Sequence, residues 1–226
     1  MHKHVPIRMA CLSGLITAAT ALAVVIVPMS VSASTTASVS LTETSTGTGS
    51  GSGYLNMSVP STLSFGTVAL TGLAQSVNGQ FIACTGSTGS ACTTDVDVND
   101  LTGSGAGWNV SLNATQFENT SGTPSTCTTT TPCPLTGSAL SQSTPPTWYC
   151  DSTGCNLATN PGIAAPLSFT YGTAAPFLSA NSSTTSSTTD GVGDQNAASV
   201  FTLTIPASAL AGSYSSTWTV AIASGP

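Results

Sequence analysis

Positive charge is almost absent from this chain. Its 226 residues include only 2 Lys or Arg residues, Lys3 and Arg8, and 2 His residues within the first four positions. Nucleic-acid binding depends on neutralising phosphates with Lys and Arg, so the sequence excludes a nucleic-acid partner. Electrostatic attachment to anionic lipids or wall polymers is excluded for the same reason. Beyond Arg8 there is no His for a Ser-His-Asp or Cys-His arrangement, and no Lys for an isopeptide crosslink.

The N-terminus has the pattern of a secretory signal peptide. Lys3 and Arg8 precede an apolar run over residues 9–29, and small residues follow up to Ala33. We predict that residues 1–33 are the signal, cleaved after Ala33, which leaves a secreted chain without a transmembrane anchor. An uncleaved signal anchor is the alternative, because the apolar run is long enough to span a bilayer.

The predicted mature chain is strongly acidic. It keeps all 8 Asp and Glu residues and no cation, so its net charge is about −8 near neutral pH. The acids are Glu43, Asp95, Asp97, Asp100, Glu118, Asp151, Asp190 and Asp194. Catalysis would have to use carboxylates alone. A glycosidase pair formed by Glu118 and an acid from residues 95–100 would have no Arg, Lys or His beside it to orient a sugar. We therefore predict that the protein is not an enzyme and needs no cofactor.

Two acidic segments have a partial resemblance to calcium loops. Asp95, Asp97 and Asn99 begin like one, but the acid required at the twelfth position is replaced by Ala106. Alternation with Val residues favours a solvated strand face there. Asp190 and Asp194 fit either calcium ligands or Asx turns. No metal site is predicted.

Cysteine usage indicates an oxidising compartment. Of 7 Cys residues, 6 remain after cleavage, and an even number in an exported chain is typical of disulfides. Fifteen connectivities are open to six cysteines. Spacing favours local pairs: Cys84–Cys92, Cys127–Cys133 and Cys150–Cys155. Zinc is the competing interpretation, and the lack of His and of Cys-x-x-Cys spacing argues against it.

Alternation of apolar and polar residues predicts an all-β chain. The clearest runs are Val96/Val98, Trp108/Val110/Leu112, Leu167/Phe169/Tyr171 and Phe201/Leu203/Ile205. Short strands separated by Gly, Pro and Ser turns, without helical periodicity, predict a single antiparallel β-sandwich domain of jelly-roll or immunoglobulin-like type over residues 54–226. Residues 34–53 are rich in Ser, Thr and Gly, and we predict a flexible linker there.

Two motifs resemble the paired signatures of the WxL family of bacterial surface domains. The first is Asp100-x-Thr-Gly followed by Gly107-Trp108-Asn-Val110; the second, Tyr-x-x-Thr-Leu-Thr-Trp-x-Leu-x-x-x-Pro in the family, aligns with residues 214–226. Tyr214, Thr217, Thr219 and Pro226 coincide with the pattern. The departures are Val110 for Leu, Val220 and Ile222 for Trp and Leu, and Trp218 two places early.

The resemblance implies non-covalent association with the cell envelope, with peptidoglycan as the expected ligand. The residues implied in envelope binding are Asp100, Gly107, Trp108, Val110, Tyr214, Thr217, Trp218, Val220 and Ile222. Alternation predicts that Trp108 and Trp218 pack inward, and direct ligand contact is the alternative. Trp148 and Tyr149 are candidate exposed aromatic contacts beside the third small disulfide loop.

The partner could also be another surface protein or a second copy of the chain. A low-charge sandwich can assemble through exposed strand edges, and residues 34–53 could dock as an added strand. The alternative function is therefore a structural subunit of an extracellular filament or surface layer.

Overall fold

The structure is a computed structural model. Within the first β-strand, Ser34–Ser45, it describes side chains for residues 37–41 only. The described residues are 34–45, 54–82, 95–102, 105–121, 125–151, 154–160, 163, 165–181 and 190–225. All of them belong to one compact unit, Ser32–Pro226. The predicted signal over residues 1–33 and the predicted pair Cys84–Cys92 lie outside the described residues.

Every regular element in the described part of the chain is a β-strand. The strands are β1 Ser34–Ser45, β2 Leu55–Ser58, β3 Thr62–Ala69, β4 Gln75–Phe81, β5 Val96–Asp100, β6 Trp108–Ala114, β7 Glu118–Asn119, β8 Cys133–Pro134, β9 Ala139–Gln142, β10 Thr147–Cys150, β11 Leu167–Phe169, β12 Ala175–Ala180, β13 Gly193–Ile205 and β14 Gly212–Ser224. Within these described ranges, no helix has the length and apolar character needed to cross a membrane.

The strands form two seven-stranded sheets. Sheet I has the order β12-β6-β14-β1-β3, with β7 paired to β14 and β8 paired to β7. Sheet II has the order β11-β9-β13-β5-β2, with β10 and β4 also paired to β13. The predicted all-β sandwich is confirmed. One pairing departs from a purely antiparallel arrangement, because β1 runs parallel to β14.

Alternating burial explains why these segments form strands. In β6 and β14, every second side chain is buried and the intervening ones are polar or small. A period of two places each apolar set on one face, so the two sheets enclose a single apolar core. Its centre is aromatic: the rings of Phe201 and Trp218 lie 5.0 Å apart, and those of Phe81 and Phe201 lie 5.4 Å apart.

The prediction of a flexible linker over residues 34–53 is wrong for residues 34–45. Ser34–Ser45 forms β1, which lies inside sheet I between β14 and β3. Ala37 and Val39 are buried, and Leu41 packs against the core. The segment therefore belongs to the sandwich domain, because its small inward residues and its backbone complete the sheet.

Two of the three predicted disulfides are confirmed. Cys127–Cys133 and Cys150–Cys155 have S–S distances of 2.07 Å and 2.12 Å. Each closes a short loop, so each is expected to add roughly 2 kcal/mol to stability. Because these four sulfurs are bonded in pairs, they are not available to zinc.

Candidate functional site

The two signature segments form adjacent antiparallel strands, β6 and β14. The register places these residues opposite each other: Trp218 and Ala114, Val220 and Leu112, Ile222 and Val110, Ser224 and Trp108. Where β6 begins and β14 ends, the backbone amide of Gly225 donates to the Gly107 carbonyl (2.8 Å). At the same place, the Asn109 side-chain amide donates to the Gly225 carbonyl (2.9 Å). The tertiary structure thus joins two motifs that are about a hundred residues apart in the sequence.

Both signature tryptophans point into the core. Trp218 is fully buried, with its ring 5.0 Å from that of Phe201 and 6.2 Å from that of Phe65. Trp108 is also fully buried, and its indole N–H donates to the Gly191 carbonyl at 2.9 Å. The prediction of core packing is therefore confirmed for both, and neither ring faces a ligand.

Three other signature residues fix the backbone. Gly107 has φ of +73°, and a Cβ there would lie 2.5 Å from the Ala180 carbonyl oxygen. The buried Asp100 carboxylate accepts hydrogen bonds from the amide and hydroxyl of Thr102 at 2.9 and 2.6 Å. The hydroxyl of Tyr214 donates to the Leu210 carbonyl at 3.1 Å. These contacts hold turns in place and leave little surface for a ligand.

Of the nine signature residues, Thr217 alone is exposed; the others are buried. Six of these buried residues line the inner side of sheet I: Trp108, Val110, Tyr214, Trp218, Val220 and Ile222. Asp100 lies on β5 of sheet II, and Gly107 directly precedes β6. Any contact made by β6 and β14 must therefore come from their outer side. The outward residues of β6 and β14 are Asn109, Ser111, Asn113, Ser213, Ser215, Thr217, Thr219, Ala221 and Ala223.

The outer side of sheet I carries an ordered array of hydroxyl groups, here called the hydroxyl face. It consists of two rows that run across β3, β1 and β14: Ser64, Ser38 and Ser215, then Thr62, Ser40 and Thr217. All six side chains are exposed. Neighbouring strands lie about 4.8 Å apart and alternate residues about 6.7 Å apart, so the hydroxyls form a regular lattice. None of the six can ionise.

Negative charge is concentrated on the other sheet, in the acidic cluster Asp95, Asp97, Asp151 and Asp194. Burial, together with the charge and hydrogen bond of Asp194, raises the pKa of Asp97 to about 7. Burial also raises the pKa of Asp95, against a backbone hydrogen bond that lowers it. Asp151 accepts a hydrogen bond from the Asn196 amide at 2.8 Å.

The acids do not form a recognisable cation site. In the described part of the chain, no three His, Cys, Asp or Glu side chains have the geometry to hold a metal ion. Asp190 acts instead as a tie between loops, since its carboxylate accepts from the Thr159 hydroxyl at 2.7 Å and the Asn181 amide at 2.8 Å.

The prediction that Trp148 is an exposed aromatic contact is wrong. Trp148 is 7% exposed, and its ring lies 5.4 Å from that of Trp108 in an edge-on contact. Tyr149, the next residue on β10, is only half-buried, because neighbouring residues of a strand point to opposite faces. Of the two, only Tyr149 can take part in surface contacts.

Sequence reasoning missed the hydroxyl face. Its Ser and Thr residues are individually unremarkable, and two of the six, Ser38 and Ser40, lie on β1, which the composition places in a linker. A signal was present: Ala37, Val39 and Leu41 alternate with Ser38 and Ser40. That alternation is typical of a strand with one buried and one exposed face.

Comparison with known families places this sandwich in a class of extracellular domains that bind the cell wall. Residues 33–226 match the family profile described as "WxL domain surface cell wall-binding". The chain belongs to the WxL family, and the predicted family is confirmed. It is therefore an extracellular protein associated with the cell wall. A comparison with curated proteins found no match.

Proposed function

We propose that this protein binds peptidoglycan non-covalently through the hydroxyl face of sheet I. The observation that carries the proposal is the lattice of six exposed, uncharged hydroxyl side chains on three adjacent strands. It includes the solvent side of β14, the strand that carries the second family signature. The protein acts as a binding module and not as an enzyme.

The charge of this chain favours binding to the uncharged glycan strands of the wall over binding to its anionic polymers. After Arg8 the chain has no Lys or Arg, and its acids give a net charge of about −8. Anionic wall polymers are therefore repelled. Glycan strands of peptidoglycan present hydroxyl and acetamido groups, which both donate and accept hydrogen bonds. Ser and Thr hydroxyls do the same, so the two surfaces match chemically.

The affinity of the hydroxyl face depends on the number of hydrogen bonds that it makes and not on any single one. A neutral hydrogen bond adds about 0.5–1.5 kcal/mol net, because water is displaced from both partners. Six side chains held in register by a sheet lose little conformational freedom on binding, because the strands already fix their spacing. Repeating sugars offer the same groups to several copies, which adds avidity.

Sedimentation with purified sacculi, stripped of anionic polymers, tests the proposal. We expect the mature chain to co-sediment equally at about 0.1 M and 1 M NaCl, because no ion pairs are involved. The variant Ser40→Ala/Thr62→Val/Thr217→Val removes three hydroxyls and keeps the strands. It should lower the affinity at least about tenfold.

The matched control is Thr147→Val, an exposed threonine on β10 of sheet II. It should bind like the unmodified chain. Unchanged binding by the triple variant would refute the assignment of the site, and absence of binding to stripped sacculi would refute peptidoglycan as the ligand.

A further inference from the structure

Strand β1 has an unusual position for the first strand of a domain. It pairs in parallel with β14 through eleven residue pairs, from Thr35 with Gly212 to Ser45 with Ile222. On its other side it pairs antiparallel with β3 through seven residue pairs. Because β14 and β3 meet only through β1, its departure would leave two long unpaired strand edges. Such edges readily accept another extended segment.

The contacts that hold β1 are mostly independent of large side chains. Its described inward residues are Ala37, Val39 and Leu41, whereas the bulky core residues Phe65 and Trp218 belong to the strands on either side. Two ladders of backbone pairing, to β14 and to β3, attach β1 on both sides. A strand of the same sequence from another copy would make all of these contacts in the same register.

The segment that connects β1 to β2 is rich in glycine. Residues 46–53 read Thr-Gly-Thr-Gly-Ser-Gly-Ser-Gly, so four of eight positions are glycine. Glycine permits backbone conformations that other residues avoid, so this sequence restricts the direction of the chain less than most others would.

We propose that β1 is an exchangeable strand, which docks between β14 and β3 of a second copy of this chain as well as in its own molecule. Reciprocal exchange gives a closed dimer, and one-way exchange gives an open row of molecules. Exchange would link wall-bound copies laterally. It goes beyond wall binding, and either one can fail without the other.

Net charge sets the conditions for exchange. Two mature chains of about −8 each repel, and salt screens this repulsion within about 10 Å at 0.1 M. Crowding of copies on a wall raises their local concentration. We therefore expect exchange to increase with protein concentration and with ionic strength.

Deletion of residues 46–53 from the mature chain is the first test. Only Tyr54 would then connect β1 in sheet I to β2 in sheet II, and a single residue disfavours return of the strand to its own molecule. We expect a folded dimer or larger assembly by light scattering and circular dichroism, against mainly monomer for the unmodified chain. A folded monomer, or an unfolded chain, would overturn the proposal.

Capture of a labelled peptide by the full mature chain is the second test. A peptide of residues 34–45 should become incorporated after warming below the unfolding midpoint. Val39→Asp places a charge at a site that is 1% exposed, so this peptide should be captured at least about tenfold less. Ser38→Asp is the matched control, because Ser38 is exposed on the opposite face and the assay contains no wall material. No capture of the unmodified peptide, or equal capture of the Val39→Asp peptide, would overturn the proposal.

Discussion

The indole N–H groups of the two signature tryptophans have different surroundings. That of Trp108 donates to the Gly191 carbonyl, whereas that of Trp218 is buried with no hydrogen-bond partner in the described part of the chain. A buried donor without a partner costs about 1–3 kcal/mol. Trp218 must therefore stabilise the domain through its large apolar area, packed between Phe65 and Phe201.

Substitutions at Trp218 should separate the stabilising effect of its apolar area from the destabilising effect of its unpaired N–H. Trp218→Ala removes the ring and leaves a cavity, and we expect a loss of about 3–5 kcal/mol in the free energy of unfolding. Trp218→Phe keeps much of the area and removes the unpaired N–H, so it should cost less than about 2 kcal/mol. Urea denaturation measures both.

The neighbouring Thr217 provides the control. Its side chain is exposed on the other face of β14, so Thr217→Val should change the free energy of unfolding by less than about 0.5 kcal/mol. If Trp218→Phe proves as damaging as Trp218→Ala, the apolar area is not what Trp218 contributes.

Asp97 should make stability depend on pH. Burial and the neighbouring Asp194 raise its pKa in the folded chain from 3.8 to about 7. Between about pH 4 and pH 7 the folded state then holds a proton that the unfolded state releases, so stability falls as the pH rises through this window. Allowing for solvent screening at a half-buried site, we expect a decrease of about 1–2 kcal/mol.

Asp97→Asn should remove most of that slope. Melting temperatures between pH 4 and pH 8 provide the measurement, and Glu118→Gln on β7 of sheet I is the control that should keep the slope. A domain that becomes more stable from pH 4 to pH 7 would contradict the assignment. The predicted direction means that the protein tolerates acid.

At the scale of elements, Gly107 fixes where β6 starts. It has φ of +73°, and an added Cβ would meet the Ala180 carbonyl oxygen at 2.5 Å, at the end of β12. Gly72 has nearly the same φ, +76°, with nothing within 4 Å of an added Cβ. We predict that Gly107→Ala costs at least about 3 kcal/mol in the free energy of unfolding, and Gly72→Ala about 1–2 kcal/mol. Similar values for the two would show that backbone strain alone matters.

Strands with large apolar residues could be predicted from the sequence, and strands with small ones could not. Trp108, Val110 and Leu112 mark β6 because their alternation has strong hydrophobic contrast. β1 has Ala37 and Val39 between serines, so composition favours a linker. Its strand conformation depends on backbone pairing with β14, which begins more than 160 residues later in the chain. No local pattern contains that partner.

At the scale of the whole molecule, the lack of cations has a direct consequence for proteolysis. Trypsin cleaves after Lys and Arg, and the chain has neither after Arg8. We predict that the mature chain stays intact in trypsin even when it is reduced and heated. Chymotrypsin, which cleaves after aromatic residues, should degrade the same unfolded sample. Mass spectrometry of both digests checks this, and any tryptic product would contradict it.

The sequence by itself determined the chemistry that this protein cannot use, the β class of its fold, its family and the local disulfides at Cys127–Cys133 and Cys150–Cys155. These features depend on residue types and short spacings, which a linear chain already contains. Only the tertiary structure decided that β6 and β14 lie side by side, that β1 completes sheet I and that six hydroxyls align on its outer side. Strand pairing brings together residues distant in sequence, so the surface it creates has no counterpart in any single stretch of the chain.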